Sequence, residues 1–240
     1  MSDRRVLITG ASRGIGLELV KQHLASGDRV VASCRSRDKA TALSALAESS
    51  GARLNVVALD VGDPASIARA ADEVEASCGA LDLLWSNAGI YPGSPGTEVQ
   101  EQPFGELTME EGLEVLRVNA VGALMVAQAF WPMLTRGRDP KLAVVSSGYG
   151  SVGDNHGTPF WYGASKAALN MLHRSLAFDP AGRGVVVLLL SPGWTATDMG
   201  GPRAPDPLVP VVEGLRQVVE RATAVDTGAF LDWRGEAVPF

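Results

Sequence analysis

The chain has 240 residues, 46% apolar and 20% charged, which suits one large core and falls short of two substantial domains. A formal charge of −6 excludes a globally basic surface for nucleic acid or an anionic membrane, so any anion site must be local. No stretch approaches the roughly 20 consecutive apolar residues that span a bilayer, and a strand pattern follows Met1 almost at once instead of a leader.

Cytoplasmic placement is the resulting expectation. Cys34 and Cys78 sit in apolar patterns without metal-ligand spacing and read as buried, reduced thiols. The three histidines lack the close spacing of a zinc site, so no metal is expected.

Apolar runs at 5–9, 29–33, 54–59, 81–85, 141–146, 184–190 and 228–231 read as strands. Between them, Ile67, Ala71, Val74 and Cys78 recur at helical spacing, as do Val211, Leu215, Val218 and Ala222. Residues 113–133 are apolar on more than one stripe, which predicts a helix buried on two sides or lying at a subunit contact. Residues 160–179 give a further helix. Continuous apolar strands alternating with helices predict one α/β domain: a doubly wound parallel sheet of about seven strands, helices on both faces. Three Gly-, Pro- and polar-rich loops, 90–105, 148–159 and 195–210, each follow a strand. They therefore belong at the carboxyl edge of the sheet, where open α/β folds bind ligands.

Thr9-Gly10-Ala11-Ser12-Arg13-Gly14-Ile15-Gly16 follows the first strand and opens the first helix. Gly10 permits the turn, while Gly14 and Gly16 let the backbone approach a diphosphate at the helix N-terminus. The second strand ends in Cys34 and Arg35, where NAD sites usually place an acid for the ribose hydroxyls. Arg35, helped by Arg13 and Arg37, would instead attract a 2′-phosphate, so NADP(H) is preferred to NAD(H). Asp60-Val61 ends the third strand within reach of an adenine amino group, whereas Asp63 before Pro64 reads as a helix cap. Asn87-Ala88-Gly89 ends the fourth strand, where small residues let the chain pass close to a ribose.

Tyr162 and Lys166 lie four apart on one predicted helix and so share a face. An ammonium near a phenol favours the phenolate and lowers the tyrosine pKa, which suits proton exchange at a carbonyl oxygen.

This ordered set, with Asn119, Ser146-Ser147 and Pro192-Gly193, covers almost the whole chain and resembles the classical short-chain dehydrogenase/reductase (SDR) superfamily. The pair Asp154-Asn155, the stretch 191–201 and the ending 228–240 resemble most the C-factor/sniffer-like carbonyl reductases. The resemblance implies a single-domain Rossmann fold over 1–240 and NADPH-dependent reduction of a carbonyl to an alcohol. It implies Ser147 as the group orienting the carbonyl, Tyr162 as proton donor, and Lys166 as partner of the nicotinamide ribose. Asn119 would hold a water linking Lys166 to solvent, and Pro192, Gly193, Thr195 and Thr197 would position the carboxamide and diphosphate. Ser147 lies fifteen residues before Tyr162, a longer gap than the family often shows, which assigns the extra length to the 148–159 loop. The alternative implied by the C-factor likeness is a signalling or regulatory NADP(H)-binding protein with little turnover.

Tyr91, Tyr149, Phe160, Trp161, Trp194 and Met199 are the candidate walls of a substrate pocket, with Asp154 and His156 as polar contacts. Such walls suit a small-molecule substrate: a hydrophobic aldehyde, ketone or quinone, or the corresponding alcohol. Relatives pair through the two long helices, which implies a homodimer or homotetramer here.

Overall fold

The computed structural model describes residues 3–92, 103–157, 159–182 and 184–240. Among these residues seven strands form one sheet: β1 (Arg5–Ile8), β2 (Arg29–Cys34), β3 (Leu54–Ala58), β4 (Leu83–Ser86), β5 (Lys141–Val145), β6 (Val186–Ser191) and β7 (Phe230–Asp232). All neighbours are parallel, in the order β3-β2-β1-β4-β5-β6-β7. The chain winds outward from β1 in one direction and from β4 in the other, so a crevice opens between their carboxyl ends.

Among the described residues seven α-helices cover the two faces: α1 (Gly14–Ala25), α2 (Thr41–Ser50), α3 (Pro64–Cys78), α4 (Met109–Leu116), α5 (Ala123–Thr135), α6 (Phe160–Phe178) and α7 (Leu208–Arg221). Successive strand residues point to opposite faces, and both sets are buried. Val6, Ile8, Val30, Leu83 and Trp85 pack with Leu19 of α1 and Leu215 of α7. Leu7, Val31, Leu84, Leu142 and Val144 pack with Val74 of α3, Phe130 of α5 and Leu169 of α6. This two-sided burial is why the strands read as unbroken apolar runs.

Three elements depart from the sequence reading. The short helix α2 was not anticipated, because Leu43 is its one buried side chain and no apolar stripe announces it. The helix expected at 113–133 begins earlier, at Met109, where the Thr108 hydroxyl accepts from the Glu111 amide at 3.2 Å. Its middle, Arg117–Gly122, is a π-helical segment containing Asn119. Helical residues Met109–Thr135 are together long and apolar enough to cross a bilayer by length and composition. Val126, Ala127, Phe130 and Leu134 are nonetheless buried in the core, which makes this the central helix of one face. Third, Cys78 is only partly buried, unlike Cys34; both are free thiols.

Candidate active site

The carboxyl ends of β1, β4, β5 and β6 bring together the glycine turn, Asn87–Gly89, Ser146-Ser147 and Pro192-Gly193. Asn87 Nδ2 donates to the Thr9 and Gly10 carbonyls at 2.8 and 3.2 Å, while Thr9 Oγ1 accepts from the Asn87 and Ala88 amides at 3.0 Å each. A β-carbon on Gly10 would sit 2.8 Å from Ala88 Cα, so these two loops touch only because residue 10 has no side chain.

Gly16 is needed for packing as well. A β-carbon there would overlap the Gly10 carbonyl and lie 2.6 Å from Asn87 Nδ2, so the turn and the Asn87 loop close tightly only over a glycine. Gly16→Ala is therefore expected to destabilise the fold by about 1–3 kcal/mol, measured by urea denaturation. Gly14 keeps the expected freedom, with φ +53° and Thr197 as its nearest neighbour. No side chain caps α1, so the first-turn amides of Gly14, Ile15 and Gly16, beside Ser12, are left without intrahelical partners, an arrangement that can accept anionic oxygens.

Two of the three expected cations are already engaged: Arg13 pairs with Asp198 at 3.2 Å and Arg37 with Glu73 at 2.6 Å. Arg35 is exposed and enters no ion pair among the described residues. Asp60 Oδ1 accepts from the Gly62 amide at 2.9 Å, which leaves the other carboxylate oxygen for an adenine amino group. The Val61 side chain lies in the core, and Gly122 is side-chain-free where the Val61 carbonyl meets the π-segment. Asp63 caps α3 as expected, accepting from the Ala65 amide at 2.9 Å.

Lys166 is buried and donates from Nζ to the Val145 carbonyl at 2.9 Å, with Nζ 5.7 Å from the Tyr162 ring centroid. Tyr91 packs against the Tyr162 ring at 4.8 Å and Tyr149 meets it edge-on at 6.3 Å. Burial pushes the Tyr162 phenol up to about 12; the Ser147 side chain opposes that shift and Tyr149 adds to it. The expected lowering by Lys166 is thus reversed. The reason is desolvation, which also drives Lys166 down to about 8 while the Val145 carbonyl draws its ammonium aside. At neutral pH the site presents a protonated phenol and a largely charged lysine.

Asn119 is buried, donating to the Ile90 carbonyl at 2.8 Å and Ser165 Oγ at 3.0 Å and accepting from the Ile90 amide at 2.8 Å. Its side chain pins the strand-end loop. Gly89 lies between Asn119 and Lys166, where a β-carbon would be 3.3 Å from Asn119 Oδ1 and 3.7 Å from Lys166 Nζ. Thr195 Oγ1 donates to the Pro192 carbonyl at 2.8 Å, and Thr197 Oγ1 accepts from the Gly200 amide at 3.1 Å. Gly193 adopts φ +69° against Asp206, whose Oδ2 also accepts from the Trp194 amide at 3.0 Å.

Asn170 is the site residue that the sequence reading missed. It accepts from Ser146 Oγ at 2.6 Å and donates to the Gly150 carbonyl at 3.3 Å, beneath the turn that carries Ser147. The signal was present, since Asn170 continues the Tyr162–Lys166 stripe by one further i+4 step. Among the expected pocket walls, Trp161 turns away and packs on Gly112 of α4. Asp154 and His156 are exposed, and residues 93–102 of the 90–105 loop lie outside the described residues. A cavity of about 410 Å³ lies at the opposite, amino edge of the sheet, lined by Arg4, His23, Trp85 and Arg216 among others. Its lining includes none of Ser147, Tyr162 and Lys166.

The family described as short chain dehydrogenase matches residues 4–207. The chain belongs to that family. Among solved structures of short-chain dehydrogenases, an NADPH-bound carbonyl reductase from chicken fatty liver is 34% identical, with a TM-score of 0.90 and 100% of both chains covered. The carbonyl reductase Sniffer of D. melanogaster is 27% identical at a TM-score of 0.91, again over 100% of both chains. The C-signal protein of Myxococcus xanthus is 36% identical over 163 residues, 68% of this chain and 94% of the relative.

Proposed function

We propose that this short-chain dehydrogenase is an NADPH-dependent carbonyl reductase working through Ser147, Tyr162 and Lys166. The observation carrying this reading is the convergence of Ser147, Tyr162 and Lys166 at the carboxyl edge of the sheet, with Ser147 drawing the phenol pKa down and Lys166 Nζ 5.7 Å from the Tyr162 ring centroid. The uncapped α1 terminus, the open Gly14 turn and the unpaired Arg35 suit a dinucleotide with a 2′-phosphate. Bound there, NADPH supplies the hydride. Tyr162, protonated at neutral pH, gives its proton to the carbonyl oxygen as negative charge develops on it. Ser147 holds that oxygen, and the Lys166 ammonium lowers the cost of the phenolate left behind. Tyr91 and Tyr149, flanking the phenol, favour hydrophobic aldehydes, ketones or quinones over sugars.

The experiment is loss of reduced-nicotinamide absorbance with a panel of aldehydes, diketones and quinones, NADPH and NADH side by side. Oxidation of NADPH by at least one panel member is expected; none would overturn the reading. A charge-assisted contact to a phosphate is worth about 1.5–3 kcal/mol, so Arg35→Ala should raise the KM for NADPH roughly 10- to 100-fold and leave NADH little changed. The likeness to C-signal favours a second reading, in which the protein binds NADP(H) and signals. NADPH fluorescence that titrates without any oxidation would select it. Either role suits a compartment that keeps Cys34 and Cys78 reduced, such as the cytoplasm. Exposed Leu113, Val121, Met171 and Phe178 on the two long helices suit pairing of two or four copies, checked by sedimentation.

A further inference from the structure

The loop carrying Ser147 and Tyr149 is held on its inner side by Asn170 and by its own turn, with Gly150 N donating to Ser147 O at 2.8 Å. Past Gly150 it runs over the surface, where Val152 is 70% exposed. There the Gly153 amide donates to the Phe240 carbonyl at 2.9 Å. The fit is close: a β-carbon on Gly153 would lie 3.1 Å from that carbonyl and 3.7 Å from Pro239 Cβ.

Phe240 is itself anchored. After β7 the Asp232 carboxylate accepts from the Arg234 and Glu236 amides at 2.8 and 2.9 Å and turns the chain back on itself. Val238 N then donates to Phe230 O at 2.9 Å, and Ala237 bridges Leu231 in antiparallel fashion. The Phe240 ring lies 5.6 Å from the Phe230 ring, and the Arg174 guanidinium sits over it at 3.9 Å. Arg174 belongs to α6, the helix of Tyr162 and Lys166. Residues 236–240 thus form a strap that references the outer half of the substrate loop to the helix bearing the proton donor.

We propose that Phe240 is a positioning residue: by seating this strap it fixes the loop of Ser147 and Tyr149 over Tyr162 and so governs carbonyl binding. The proposal rests on the carbonyl-reductase reading for its kinetic consequence, though not for its geometry. Phe240→Ala removes the ring that holds the Phe240 carbonyl in place. The KM for the carbonyl substrate should rise roughly tenfold with NADPH affinity unchanged, because the strap's contacts, to Gly153, Phe230, Leu231 and Arg174, include none of the residues expected to hold the dinucleotide. Amide exchange should quicken across 149–157 and stay unchanged in the central strands. Phe240→Tyr, which keeps the ring on Arg174, should restore wild-type values. Gly153→Ala, which crowds the same contact from the loop side, should move KM and exchange in the same direction.

Unchanged KM and unchanged exchange at 149–157 in Phe240→Ala would overturn the proposal. So would exchange accelerated equally in the central strands, which marks a purely structural role. If the wild-type protein reduced no carbonyl at all, the carbonyl-reductase reading would fall, and local exchange would still decide whether the strap holds the loop.

Discussion

Tyr162→Phe should lower kcat for carbonyl reduction roughly a thousandfold while leaving NADPH affinity and thermal stability close to wild type. A positioned proton donor contributes about 10²–10⁴-fold, and losing one hydrogen-bond donor to a developing oxyanion costs about 10²–10³-fold. The two effects share one hydroxyl, so they overlap and do not multiply. Phenylalanine keeps the ring that packs on Tyr91 at 4.8 Å and meets Tyr149 edge-on. The hydroxyl removed is one that burial already opposes ionising. Its loss leaves the core intact. Steady-state reduction and NADPH titration on the same purified variant check the split. Retained turnover would remove Tyr162 from the mechanism; lost NADPH binding would mean the ring, not the hydroxyl, is what matters.

Much of this site could be read from the chain because its parts sit at the ends of strands that the apolar runs announce. A parallel strand buried on both faces leaves an unbroken apolar signature, and the residue after it falls at the carboxyl edge. That reasoning placed Gly10, Asn87, Ser147 and Pro192 together without any contact information. What it could not supply was burial and long-range pairing. The Tyr162 phenol goes up and not down because desolvation outweighs a lysine that spacing alone puts on the same face.

Arg13 and Arg37 stand in ion pairs with Asp198 and Glu73, 185 and 36 residues away, which no spacing rule announces. Gly16 packs against the Gly10 carbonyl and Asn87 Nδ2, a contact the glycine spacing does not show. Trp161 shares its neighbourhood in sequence with Tyr162, yet a rotation of one residue on a helix sends it to Gly112. Most of these contacts join residues distant in the chain, beyond what spacing can show. Strand positions, by contrast, follow from hydrophobic pattern, which is local.

Lys166→Met should reduce kcat/KM roughly 100-fold or more, and its pH behaviour separates a catalytic lysine from a structural one. Burial depresses Lys166 from 10.5 to about 8, a cost of about 3 kcal/mol for keeping the ammonium charged. Below pH 8 the charge is present in both folded and unfolded chains, and that cost is borne in full. Between about 8 and 10.5 the unfolded chain binds the extra proton, so stability rises as pH increases through this window. Catalysis should move the other way. Once the lysine is neutral the phenolate formed at Tyr162 loses its nearby cation, and reduction should decline as pH climbs through about 8. Wild-type protein should therefore become more resistant to urea and less active over the same pH range. Methionine, matching the lysine stem but leaving the Val145 carbonyl without its donor, should abolish both slopes together. A variant whose activity still declined near pH 8 would assign that limb to another group and leave Lys166 as a core residue that merely bonds Val145.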